Sequence, residues 1–230
     1  MLTAKLYVTT PNLLIRKSLN ELVQAAIYKH LPSSEHDGHD SGGKKFKKTV
    51  FRADYDDNEI GIDFSSIDKN YEEAIAKAIL KDEFRIGAVH IANSIVAIQH
   101  GSLPEGTAQA EVLGFVCVHI NDSNGKRLYL EPRDSRFVEI ITKNAKEKYE
   151  TILGEPLEGD IEIKTLWQSE KPTYICYKAA RHKVYKARYE IKAPAKMLNL
   201  ILDTGLGSKI MQGCGWVSVS ENATRKGVLK

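Results

Sequence analysis

The residue types best suited to chemistry crowd into one short stretch. His36 and His39 are each followed by an aspartate, in the run SSEHDGHDSGG. Lys44, Lys45, Lys47, Lys48 and Arg52 come directly after it. Histidine titrates near neutrality and so gives or takes a proton at working pH. Lysine supplies positive charge where negative charge develops. A histidine loop in front of a lysine run therefore suits proton transfer at a polyanion. His36, Asp37, His39 and Asp40 are also metal-ligand types, as in phosphohydrolases of the HD kind. Those sites draw ligands from several helices, whereas these four fall in one glycine-flanked loop, so neither a metal nor another cofactor is expected. A polar loop without a role is the third reading. Of the other histidines, His30 lies near this loop, His90 and His119 fall in apolar strand patterns, and His100 precedes a turn. His182 sits in a basic stretch and is available to phosphate.

The elements that must hold this loop follow from hydrophobic periodicity. A strand is expected over residues 4–10 and a helix over 19–31, where Leu19, Leu22, Val23, Ala26 and Ile27 share one face. Ser18 and Glu21 form a capping-box pair, and Pro32 stops the helix. Residues 32–44 are turn formers and read as a loop. Strands follow over 46–55 and 59–65, then a helix over about 69–82 and a strand over 84–99. The run Ile95–Val96–Ala97–Ile98 looks like a strand buried on both faces. After a polar connector, residues 102–109, the same order returns. Strands are expected over 112–120 and 127–130, a helix over 134–153, strands over 160–167 and 174–192, a helix over 194–202 and a last strand over 215–220. Both halves run β-α-β-β-α-β, so the fold class is α+β, two tandem ferredoxin-like (RRM-like) domains over 1–104 and 110–230.

Two further features sit in the second half. Eight Lys/Arg and one acid fall between Lys171 and Lys196. There Tyr185, Ala187, Tyr189 and Ile191 alternate with Lys186, Arg188, Glu190 and Lys192, which gives a core face and a mostly cationic face. Arg181 and Lys183 extend the basic stretch, and Tyr174 and Tyr177 are placed to stack bases if exposed. The bland alternative is a pair of solvated strand faces. The other feature is GLGSKIMQGCG, residues 205–215. Gly205, Gly207, Gly213 and Gly215 permit tight turns and close approach of a ligand, and Lys209 adds charge. It is neither a phosphate-binding loop of the GK[ST] kind nor a dinucleotide fingerprint. A helix cap followed by a turn is the structural alternative.

This glycine run, placed after an apolar helix and before a final strand, resembles the GhGxxxxxGhG signature of the Cas-six family, the CRISPR-associated endoribonucleases that cut precursor CRISPR RNA within its repeats. Leu206 and Cys214 fill the hydrophobic slots. The length and the repeated topology resemble that family over almost the whole chain. The resemblance implies metal-independent cleavage by 2′-OH attack, leaving 2′,3′-cyclic phosphate and 5′-OH ends. It favours His39, in His39–Asp40–Ser41–Gly42, as the catalytic histidine, with His36 as competitor. It adds Tyr28 from the end of the first helix and Lys45, six residues past His39. Lys44, Lys47, Lys48, Arg52, Arg181, Lys183, Lys186, Arg188, Lys192, Lys209 and the four glycines are the expected RNA contacts. CRISPR repeat RNA is the expected partner, with effector-complex proteins and a second copy of the chain as further ones. A non-catalytic RNA-binding protein and a metal-dependent phosphohydrolase are the competing readings.

Composition bounds all of this. The chain has 230 residues, 42% hydrophobic and 27% charged, with a formal net charge of +3. That excludes disordered, collagenous and coiled-coil chains. No apolar run is long enough to span a membrane, and the N-terminus lacks the apolar core of a secretory signal. Three scattered cysteines without a CxxC pair support neither a disulfide framework nor a cysteine zinc site, so a reducing cytoplasm is the expected location.

Overall fold

The structure, a computed structural model, describes residues 1–9, 13–99 and 101–220. Expectations that touch Thr10, His100 and residues 221–230 lie outside the described residues.

The first sheet is formed by β1 (Leu2–Val8), β4 (Thr49–Asp56), β5 (Glu59–Ser66) and β6 (Ile91–Ile98) in the order β4-β5-β1-β6, all antiparallel. Helices α1 (Leu13–Tyr28) and α3 (Lys69–Leu80) supply much of the core against it, with Val23, Ile27, Ile75 and Ile79 meeting Leu2, Leu6, Ile62 and Phe64. The second sheet repeats the order. It takes β7 (Gln109–Val116), β10 (Glu162–Gln168), β12 (Ala180–Lys192) and β13 (Val217–Val219) as β10-β12-β7-β13. Its core is built with α4 (Ser135–Leu153) and α5 (Ala195–Thr204), and Phe137 stacks on Tyr189 with ring centroids 6.2 Å apart. Asp134 caps α4 by accepting from the Arg136 amide, and Gly154 ends it in the left-handed conformation. Each half thus has the ferredoxin-like strand order, in an α+β fold.

The small elements position the site. After α1 come the short helix α2 (Ser33–Asp37) and a hairpin of β2 (His39–Ser41) with β3 (Lys44–Phe46). In the second half β8 (His119–Asn121) and β9 (Arg127–Tyr129) form another small hairpin. β11 (Thr173–Tyr177) pairs with the first part of β12, whose remainder pairs with β10. β12 is therefore one long strand that leaves its sheet as an arm.

Several sequence expectations are corrected here. The first helix begins six residues before Leu19, so Ser18 and Glu21 lie within its body and do not cap it. The segment before them, LLIRK, is rich in helix formers. Residues 32–44 are not a plain loop, because α2 and the β2–β3 hairpin occupy them. The strand expected over 84–99 begins at Ile91. Phe84 and Ile86 are buried in the first core from irregular chain, which imitates strand alternation without pairing. β6 is an edge strand with one open face, so Ile95 is 54% exposed instead of buried on both sides. Among the described residues no helix is long and apolar enough to cross a membrane.

The two halves meet along a polar seam with apolar inserts. Gln24 donates to the Met211 carbonyl at 2.5 Å and accepts from the Tyr177 hydroxyl. Asn20 donates to the Cys176 carbonyl at 3.1 Å. Lys69 pairs with Asp203 at 2.6 Å, and the Met211 side chain joins the first core.

Candidate active site

An open cleft of about 460 Å³ lies where α1, the β2–β3 hairpin, α4 and the glycine run converge. Tyr28, His36, Lys45, Lys148, Lys209 and Gln212 are among its lining residues. The structure thus gathers residues that the sequence scatters over nearly the whole chain.

Tyr28 ends α1, so its ring direction is set by a helix whose opposite face is buried. Burial, reinforced by Tyr177 and by the negative charge of Glu35, pushes its phenol well above the ordinary tyrosine range. The phenol therefore stays protonated at neutral pH. The His36 ring meets the Tyr28 ring edge-on, with centroids 5.0 Å apart, and its side chain is 71% exposed at the mouth of the cleft. Lys47 fixes this arrangement. Its ammonium donates to the carbonyls of Glu35 and His36 at 2.9 and 2.5 Å and lies 5.7 Å from the Tyr28 ring centroid. Burial lowers its pKa, against the pull of Glu35. A lysine that closes the last carbonyls of α2 holds His36 beside Tyr28.

His39 is placed differently. It opens β2 opposite Phe46, and its Nε2 lies 3.3 Å from the buried carboxylate of Glu35. It is not among the residues that line the cleft. Lys44 and Lys45 do line it, and Lys44 also pairs with Glu147. Among the described residues, no three His, Cys, Asp or Glu side chains converge in a way that would hold a metal ion.

The glycine run turns out to serve packing. All four glycines have positive φ and are buried. A Cβ on Gly213 would lie 2.3 Å from Asn20 Oδ1, and one on Gly207 would lie 2.6 Å from Val116 Cγ1. The close approach that the missing side chains permit here is by the protein's own chain, while Gly207 also lines the cleft. The loop offers Gly207, Ser208, Lys209 and Gln212 to the cleft. The expectation for His182 is corrected. It is buried, with the Tyr129 hydroxyl 3.1 Å from Nδ1 and Gln212 Oε1 2.7 Å from Nε2, and is closed off from phosphate. Burial lowers its pKa. The thiols of Cys117 and Cys214 are buried nearby. A hydrogen bond from Cys214, with others from His119 and Ser208, holds the Cys117 thiol below the ordinary thiol range, and the Cys214 thiol is pushed up.

Lys148 escaped the sequence reading. It is fully buried in α4 and donates to the carbonyls of Gly205 at 2.7 Å and Thr204 at 3.1 Å, and to the Thr204 hydroxyl at 3.4 Å. Burial brings its pKa down to about 7. It ties α4 to the end of α5, where the glycine run begins. The signal was present, for Lys148 stands seven residues after Ile141 on the inward stripe of its helix.

The remaining cations spread along both halves. Lys48 is half-buried at the entry to β4. Arg52 is matched by Asp54 at 3.0 Å and Asp63 at 4.0 Å. Arg181 lies 5.3 Å from the Tyr174 ring on the arm, Lys183 is near Glu131, and Lys192 pairs with Glu162. Lys186 and Arg188 project from the outer face of β12, while Tyr185 and Tyr189 are buried on the inner one.

Comparison with known proteins follows the same lines. The profile of the family described as "CRISPR associated protein Cas6, C-terminal" matches residues 104–219. A solved structure described as "CRISPR associated protein Cas6" has a TM-score of 0.68 at 18% identity, over 96% of this chain and 98% of that one. The product of a Cas6-related gene from Pyrococcus furiosus gives 0.67 at 17% identity, with coverage of 96% and 98%. A "CRISPR endoribonuclease Cse3 bound to 19 nt RNA" gives 0.51 at 12% identity, with coverage of 95% and 98%. No curated protein matches the sequence significantly.

Proposed function

The chain belongs to the Cas6 family, and on that premise we propose that it is an endoribonuclease that cuts precursor CRISPR RNA within its repeats without a metal ion. The observation that supports this most is the meeting of Tyr28, His36, Lys45 and Lys209 on one open cleft between the two halves. The family spacing favours His39 and the geometry favours His36, and we take the geometry.

With an RNA strand in the cleft, His36 removes the proton of a ribose 2′-OH. The freed oxygen attacks the neighbouring phosphorus, the bond to the 5′-oxygen breaks, and the products are a 2′,3′-cyclic phosphate and a 5′-OH. Tyr28 donates a hydrogen bond to the phosphorane oxygen, and Lys209 balances its charge. The departing oxygen takes its proton from the ammonium side of the cleft, with Lys45 first among the donors. Lys47 and Lys148 are positioning residues, the first for His36 and the second for the glycine run.

The test is cleavage of labelled CRISPR repeat RNA from the same genome in EDTA by wild type, His36→Ala and His39→Ala. A single cut, abolished by a 2′-deoxy substitution at the scissile nucleotide and slowed about 10²–10⁴-fold in His36→Ala alone, supports the scheme. Loss in His39→Ala alone moves the catalyst to the His39–Glu35 pair. Tight binding without a cut in wild type replaces the enzyme with an RNA-binding protein, and activity restored only by added metal refutes the metal-free mechanism.

A further inference from the structure

The outer face of the second sheet carries a feature that the cleft does not use. In β10 the register slips between Thr165 and Trp167, so that Leu166 is an extra residue. Thr165 pairs with the inward Tyr189, and simple alternation would turn Trp167 into the core. The bulge instead places Trp167 opposite Arg188, on the outer face, where it is 42% exposed. Bulges commonly re-aim a side chain in this way. The same row continues straight across the sheet, because Arg188 pairs with Leu113 and Leu113 with Ser218. Lys186, one step along β12, completes a shallow depression of about 450 Å³. Among the described residues neither Lys186 nor Arg188 pairs with a carboxylate. The first sheet is the opposite case, since Asp54, Asp63 and Glu59 there already engage Arg52 and Lys5.

We propose that this face is a platform for single-stranded RNA, with Trp167 stacking on a base and Arg188 and Lys186 taking the flanking phosphates. An indole surface is sequence-tolerant, because every base has a π-face, and adjacent cations supply the backbone contacts. The row crosses all four strands, about 14 Å at the usual strand spacing. The platform faces away from α4, whose Lys148 and Asn144 line the cleft, so it binds a part of the RNA distinct from the scissile one. This inference rests on the ribonuclease reading for the identity of its ligand.

Trp167 and Trp216 are the two tryptophans, and Trp216 is buried, so intrinsic fluorescence reports on the platform. The experiment titrates wild type, Trp167→Phe, Trp167→Tyr and Trp167→Ala with octauridine and with repeat RNA, and measures cleavage kinetics alongside. Wild-type emission is quenched, and the quench is absent in Trp167→Phe. Trp167→Ala weakens RNA binding about five- to a hundredfold and raises KM with kcat unchanged, and Trp167→Tyr restores most of the affinity. Arg188→Ala lowers the slope of log affinity against log salt by about one. A quench that persists in Trp167→Phe, or an affinity of Trp167→Ala within twofold of wild type, overturns the platform and leaves the ribonuclease standing. RNA binding through Trp167 without any cut keeps the platform and removes the ribonuclease. Failure of wild type to bind either RNA refutes both.

Discussion

Lys148 gives the sharpest test, because its proton is bound differently in the folded and unfolded chain. Unfolded, a lysine holds its proton up to about pH 10.4. Folded, burial brings Lys148 down to about 7. Between those values the unfolded state binds more protons, so stability rises with pH and is lost as pH falls toward 7. One fully shifted group contributes at most about 1.4 kcal/mol per pH unit, so the upper bound from pH 7 to 9 is about 2.5 kcal/mol. The carbonyls of Thr204 and Gly205 favour the charged ammonium and pull against this. The perturbation is Lys148→Met, which keeps the length of the side chain and removes the proton. Urea unfolding of both proteins from pH 6.5 to 9 isolates the lysine, since the other titrating groups cancel in the difference. Wild type should gain on the variant by 1–2.5 kcal/mol, about 2–10 °C in melting temperature for a chain of this size. A difference that stays flat within 0.5 kcal/mol would show that the helix-end carbonyls keep Lys148 charged in the fold, and the burial argument fails.

Other expectations can be checked with less effort. Tyr28→Phe removes a half-buried phenol beside His36 and should lower kcat about 10²–10³-fold while shifting stability by less than about 1 kcal/mol, as read from cleavage rates and thermal melts. Gly207→Ala forces a side chain into φ +83° against Val116 and the Cys117 carbonyl, and should cost about 2–5 kcal/mol in urea unfolding. With a thiol-reactive disulfide, half-buried Cys176 should react first and Cys117 and Cys214 only on unfolding, which peptide mapping of the labelled sites would reveal. Arg52→Ala should leave RNA affinity within twofold, because acids already engage Arg52, whereas Lys209→Gln should weaken it severalfold in a filter-binding assay.

The parts of the molecule that were legible in the sequence are those governed by local periodicity. The α4 stripe, the alternating β12 and the proline ahead of α5 each announce themselves within a few residues. The order of elements carried the ferredoxin-like topology because short connections leave few alternatives. What stayed hidden depends on long-range contact. That β6 is an open edge follows only from pairing with β1, so four apolar residues in a row misled. The glycines announced unusual backbone but not what would lie against them, and the neighbour of Gly213 is Asn20, almost two hundred residues away in sequence. The choice between His36 and His39 turns on α2 and on Lys47 reaching back to its last carbonyls, which no periodicity encodes. Trp167 falls at the end of the strand expected over 160–167, and a bulge leaves no trace until both strands are aligned.

The tie between Gln24 and Met211 spans 187 residues of chain. At the usual pace of synthesis, about 5–20 residues per second, Gln24 waits roughly ten to forty seconds for its partner. The first sheet with its helices can fold in that interval from local contacts, but the wall of the cleft made by residues 207–212 does not yet exist. A nascent chain therefore carries Tyr28, His36 and the lysines as an incomplete half-site, and the cleft closes only when the glycine run emerges and threads Met211 into a core that is already formed.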